Sequence, residues 1–181
     1  MPHLDRRVKR TRSALAEALL ELADERRFAD VTIRELTERA DVGYATFFRH
    51  YSSKEALLLD VLGGVVDDLA DLLQPAAEAG RLEDAGRQLF EYVAANALRL
   101  RVLFDAQRGS AFQHEVRSAI EARVLASRSF IPPDGVPREL AAHHLAVSSL
   151  AMVGWWLEHG MPDDAKTMGR IYAQLVVEPT R

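Results

Sequence analysis

Cysteine is absent from the 181 residues, which excludes disulfides, thiolate zinc sites, iron–sulfur clusters and cysteine nucleophiles. Its absence fits a reducing compartment, and the cytoplasm is the expected location. Proline is scarce: after Pro2 none occurs until Pro75, followed by Pro132, Pro133, Pro137, Pro162 and Pro179. No uninterrupted apolar run approaches the ~18 residues of a membrane span, so no membrane partner is expected. The basic N-terminus runs into a segment broken by Glu17 and Glu21, unlike a secretory signal. A Gly-rich phosphate loop, HExxH and Gly-x-Ser-x-Gly are also missing. No catalytic residue or cofactor is therefore expected, and the chain is read as a non-enzyme. His143 and His144 are adjacent, so on a helix they diverge by about 100° and cannot both reach one metal; no metal site is expected.

What is present is an ordinary globular composition, 48% hydrophobic and 28% charged, enough for one sizeable core or two small ones. The charge is uneven. Residues 1–54 carry 11 Lys/Arg against 9 Asp/Glu, net +2, and residues 55–181 carry 12 against 18, net −6. Arg6, Arg7, Lys9, Arg10 and Arg12 crowd the first twelve residues. Such a run is either a solvated, frayed terminus or the polyanion-facing end of a body that repels polyanions.

Apolar residues recur at helical spacing almost throughout. Leu15, Ala18, Leu19, Leu22 and Ala23 predict an amphipathic helix over 6–27. Thr32 three residues before Glu35 is a capping-box signature that opens Ile33–Ala40. Ser52 or Ser53 caps a long run from Lys54 to about Gln74, which Pro75 and Gly80 end. Further helices are predicted near 82–98, 100–108, 110–130, 137–159 and 163–177, separated by loop chemistry at 131–136 and 160–162. Val31–Ile33 and Leu175–Val177 are too short for a sheet. The expected fold class is all-α, with about nine helices.

The informative stretch is Thr32 to Lys54, TIRELTERADVGYATFFRHYSSK. Ile33, Leu36 and Ala40 make one apolar stripe, and Gly43 is suited to the positive φ of a tight turn. Tyr44 to Tyr51 then forms a second short helix with Phe47 and Tyr51 inward. Its outer face carries Tyr44, Ala45, Thr46, Phe48, Arg49 and His50, groups suited to phosphates and base edges. The pattern is that of a helix-turn-helix whose second helix enters the major groove, or of a plain helical hairpin.

Thr32-Ile33, Ala40-Asp41-Val42, Thr46-Phe47-Phe48-Arg49-His50-Tyr51 and Ser53-Lys54-Glu55 together resemble the DNA-binding domain of TetR/AcrR-family transcriptional regulators over residues 6–62. The resemblance implies a three-helix DNA-binding head, residues 1–54, and a helical ligand-binding and dimerisation body, residues 55–181, linked by the helix 53–74. It implies Thr46 and Lys54 as phosphate contacts, Tyr44, Ala45 and His50 as base-facing, and Arg34 at the groove edge, with Thr32, Gly43, Phe48 and Arg49 completing the surface. Phe48 stands where the family commonly has tyrosine, so that a phosphate contact is either lost or turned apolar, against a thymine methyl. Asp41 replaces the usual turn glycine and tolerates the conformation.

In the body, Trp155-Trp156 with Val147, Leu150, Ala151, Gly154 and Leu157 form a helix apolar around its circumference. That is core, or core plus the dimer contact that the family makes with its last two helices, here 137–177. Gly63-Gly64 within the long helix marks a close helix crossing or a pivot between ligand and DNA. An apolar pocket is expected from Leu62, Val66, Tyr92, Leu103, Phe104, Phe112, Met152 and Trp155, taking an apolar or cationic small molecule. The function so implied is a homodimeric repressor released by that molecule from a palindromic DNA operator; the rival is a helical small-molecule-binding protein or enzyme that has lost DNA binding.

Overall fold

The computed structural model describes residues 2–106, 110–127 and 130–178, without the side chains of 2–5, 103, 105–106 and 110–113. The side chains of the expected pocket residues Leu103 and Phe112 thus lie outside those described. Within them the chain forms nine α-helices and no strand: α1 Pro2–Glu25, α2 Ile33–Arg39, α3 Tyr44–His50, α4 Lys54–Glu78, α5 Leu82–Ala95, α6 Ala97–Ala106, α7 Ser110–Ala126, α8 Arg138–Glu158 and α9 Ala165–Tyr172. A 3-10 turn, Phe28–Asp30, joins α1 to α2, and a π-helical turn, Ala173–Val177, extends α9.

Helix ends follow local chemistry, and several are shifted from the sequence expectation. Pro75 lies inside α4 rather than ending it, and having no N–H it leaves the Asp71 carbonyl without its intrahelical donor. The stop comes at Gly80, φ +69, where Gly80 N donates to Ala77 O (3.0 Å) and Arg81 N to Ala76 O (2.9 Å), a Schellman ending. The break after α5 falls at Asn96, whose side-chain amide and backbone N–H both donate to Tyr92 O. That local bond competes with continuing the helix.

One apolar cluster runs from the head, through Leu15, Leu19, Leu36 and Phe47, along the inner face of α4, Leu57 to Val65, to Phe90, Trp156 and Met168 in the body. Helix α4 is therefore the shared wall of both ends. α5 and α9 make the most extensive helix pair, and glycine is the reason. A Cβ on Gly86 would lie 2.5 Å from Gly169 O, and one on Gly169 would lie 2.4 Å from Arg87 N. A close crossing at Gly63-Gly64, one of the two readings of that pair, is not there: a Cβ on Gly63 meets nothing within 4 Å, and one on Gly64 only Arg99 Nη2 at 4.0 Å.

By length and composition α8 could pass for a membrane span. In the fold it buries Ala141, Ala142, Ala146, Val153, Gly154, Trp156 and Leu157 while leaving Leu140, Val147 and Trp155 exposed.

Candidate nucleic-acid interface

The reciprocal capping box forms as expected. Glu35 N donates to Thr32 Oγ1 (3.3 Å), and Thr32 N and Oγ1 donate to Glu35 Oε2 at 2.9 and 2.7 Å. Bonds from the Thr32 side chain and backbone, then Arg26, hold the Glu35 carboxyl below its usual range. Thr32 is thus a helix cap, its proton engaged by Glu35.

The turn between α2 and α3 is also a Schellman ending. Asp41 N donates to Glu38 O (3.3 Å) and Val42 N to Thr37 O (2.9 Å), with Asp41 itself left-handed at φ +51. The positive φ expected at Gly43 therefore falls two residues earlier, on a residue type that tolerates it. Gly43 is extended, φ −62, and caps α3; its carbonyl accepts from Thr46 N (2.7 Å) and Phe47 N (3.2 Å).

That turn sets α3 with Phe47 buried and Tyr44, Ala45, Phe48 and Arg49 outward. Thr46 and His50 are half-buried at the flanks, and Arg49 Nη2 donates to Thr46 Oγ1 (2.6 Å). Arg34 stands at the mouth of an open cleft of about 720 Å³ between α2 and the start of α3, lined also by Thr37, Val42 and Tyr44, and pairs with Glu38 at 3.0 Å. Arg6, Arg7, Lys9 and Arg10 are exposed along the first turns of α1, so the basic run is helical.

Lys54 departs from expectation. Its ammonium donates to Phe28 O (3.0 Å), Ala29 O (2.8 Å) and Val31 O (2.8 Å) and lies 4.8 Å from the Phe28 ring centroid. An ammonium has three protons, and all three are used. Lys54 therefore staples α4 to the turn before α2, and a phosphate contact by Lys54 would compete with these three bonds.

Sequence reasoning missed a second fastening. Tyr51 Oη donates to Asp60 Oδ2 (2.6 Å), while Arg12 Nε donates to Tyr51 Oη (3.0 Å) and Asp60 Oδ2 (3.2 Å). The Arg12 Nη2 group also meets Asp60 Oδ1. This knot ties α1 and the end of α3 to α4. Burial, then the bond to Asp60, pushes the Tyr51 hydroxyl up to about 12. The spacings of 39, 9 and 48 residues carry no local signal.

The expected pocket residues whose side chains are described fall into two groups. Leu62 is buried and Val66, Tyr92, Phe104 and Met152 pack against the core, Phe104 over Gly154. Trp155 is corrected outright: it is 48% exposed and stacked on His159 at 4.6 Å. Its neighbour, about 100° round the helix, is the buried one: Trp156 meets Phe90 edge-on at 5.0 Å and donates to Asp163 O (3.2 Å). An open cleft of about 280 Å³ lies in the body between α4 and α7, lined by Gly63, Val66, Asp67, Ala119, Ala122 and Arg123. Of the expected residues whose side chains are described it contains Val66 alone. His143 pairs with Glu121 at 2.7 Å, and no metal-holding cluster occurs among the described residues.

A two-helix reader on a stapled head, joined to a helical body, defines the class of helix-turn-helix DNA-binding proteins. The chain matches the family model of bacterial regulatory proteins, tetR family, over residues 15–61, and that of a transcriptional regulator C-terminal region over residues 81–177. It belongs to the TetR family of transcriptional regulators. The uncharacterized HTH-type transcriptional regulator YxbF of Bacillus subtilis (strain 168) is 26% identical over 179 residues. The match takes in 96% of this chain and 46% of that protein, so the chain spans about half the length of that relative. Among solved structures, Thermus thermophilus FadR, a TetR-family repressor in complex with lauroyl-CoA, superposes with TM-score 0.68 at 20% identity, covering 93% of this chain and 94% of that one. NalD of Pseudomonas aeruginosa, secondary repressor of the MexAB-OprM multidrug efflux pump, superposes with TM-score 0.62 at 16% identity, covering 95% and 98%. These likenesses show the fold.

Proposed function

We propose that this chain is a homodimeric repressor that grips a palindromic DNA operator with α3 and is released by an apolar or cationic small molecule. The observation that carries the reading is the outer face of α3: Tyr44, Ala45, Phe48 and Arg49 face solvent together, on a head fastened at Thr32, Lys54 and Tyr51. Residues 1–54 act as the DNA-binding domain and 55–181 as the regulatory one.

Dimerisation is assigned to 137–177. Leu140, His144, Val147, Ala151 and Trp155, all exposed, fall at spacings of three and four along α8. A second copy would cover this apolar stripe, which a monomer would leave to water. Two heads related by a two-fold then reach half-sites about one helical turn apart, ~34–36 Å.

The α4/α7 cleft supports the effector class. Arg123 is already held there by Asp67 (3.3 Å) and Asp71 (2.8 Å), and the body is net negative, so an anionic head group gains little. Of the lauroyl-CoA held by the Thermus relative, the apolar chain is the part that suits this body. Gly63 on the cleft wall is the pivot candidate, since nothing but the cleft faces it.

Selection of bound sequences from a random DNA pool tests the core of the reading. A pseudo-palindromic site is expected, with affinity falling steeply with salt; no enriched sequence at low salt overturns the reading and leaves a helical binding protein that has lost DNA. Leu140→Glu is expected to sediment as a monomer, and a dimer unchanged by it would move the interface elsewhere.

A further inference from the structure

We infer that Tyr44 and Phe48 form an aromatic reader of thymine 5-methyl groups, so that base choice by α3 rests on apolar contact more than on hydrogen bonds. This rests on the DNA-binding reading above and deepens it.

The two rings lie one turn apart on α3 and meet edge-to-face, 5.2 Å between centroids at 65°. Tyr44 is 56% and Phe48 47% exposed, yet the ridge they make is braced. Phe48 also packs edge-on against Phe47, 5.3 Å and 80°, and Phe47 is fully buried. A braced apolar ridge in the middle of a reading face is already ordered before binding, so less side-chain entropy is lost when a partner covers it.

Several polar groups around the ridge already hold intramolecular partners. Arg49 donates to Thr46, Arg34 pairs with Glu38, Thr32 with Glu35, and the Lys54 protons go to backbone carbonyls. The charge of the head, net +2 against −6 for the body, brings this end to DNA. In the major groove the apolar feature on the base edges is the thymine C5 methyl. The 5.2 Å between ring centroids is between one and two base steps of ~3.4 Å, so the ridge spans two methyls on adjacent or alternate bases.

The test uses the operator recovered by pool selection, with each thymine replaced in turn by deoxyuridine in both half-sites. This removes the methyl and keeps the base pair. At one or two positions per half-site the full-length protein should lose about fourfold per methyl, or roughly fifteenfold for the pair of half-sites, from ~0.8 kcal/mol per buried carbon. Phe48→Ala and Tyr44→Ala should each bind more weakly and become indifferent to deoxyuridine at their own position, while Phe48→Leu should keep part of the sensitivity. Specific binding that no deoxyuridine changes by more than about twofold overturns the inference and leaves the DNA-binding reading standing. Failure to select any sequence overturns both. Deoxyuridine sensitivity that persists unchanged in both alanine variants assigns the methyls to other residues and also overturns it.

Discussion

Replacing Lys54 by methionine keeps the side chain's length and apolar stem and removes the ammonium that now donates to Phe28, Ala29 and Val31 carbonyls. A hydrogen bond to a charged group contributes about 1.5–3 kcal/mol when its partner is left bare, but the three losses here are unequal. The Phe28 carbonyl still accepts from Val31 N (3.2 Å), and the Ala29 carbonyl faces water. The expected cost is therefore about 2–3 kcal/mol in all, including the cation–π contact with Phe28. For a chain of this size that lowers the melting temperature by roughly 5–10 °C. Thermal unfolding followed by circular dichroism reads it directly, alongside operator affinity across a salt series. Because the ammonium is already engaged in its staple, the salt slope should change by well under one unit and affinity by about threefold or less. A melting point within about 1 °C of the parent, together with a slope reduced by about one unit, would refute the staple and restore Lys54 as a phosphate contact.

Opposite signs are expected from one substitution at two glycines. Gly86→Ala forces a Cβ into the Gly169 backbone and should cost about 3 kcal/mol or more, whereas Gly63→Ala faces open space and should gain about 0.8–1 kcal/mol of helix propensity; urea midpoints that fall equally would sink the packing account. If Gly63 is the pivot, Gly63→Ala should also keep ligand affinity while blunting ligand-induced DNA release. Alkali should probe the knot at Tyr51, whose hydroxyl rises from 10.0 to about 12 on folding. Below the lower value both states keep the proton; between the two only the unfolded chain loses it, so stability falls as pH rises across that window. Tyr51→Phe should make the fall shallower without abolishing it, since burial also raises Tyr92 and Tyr172; an equal fall in both proteins would remove Tyr51 from the account.

The all-α class, the capping box at Thr32 and Glu35, the helix-turn-helix and the punctuation at Gly80 and Gly160 were legible because each depends on residues within a turn or two of one another. A 3.6-residue period or an i, i+3 cap is written in adjacent letters. The inward Phe47 and the outward Tyr44, Phe48 and Arg49 followed from the same period. What the tertiary structure decided are matters of approach between distant segments. Lys54 meets carbonyls 23 to 26 residues earlier, and Arg12 meets Asp60 across 48, so neither bond leaves a mark on local spacing. Gly86 and Gly169 look no different in sequence from Gly63 and Gly64, yet only the first pair has another backbone against it. Trp155 and Trp156 are chemically identical neighbours, and a rotation of about 100° buries one against Phe90 and leaves the other on the surface. Local chemistry wrote the helices; which face of each meets another helix was fixed only when the whole core closed around α4.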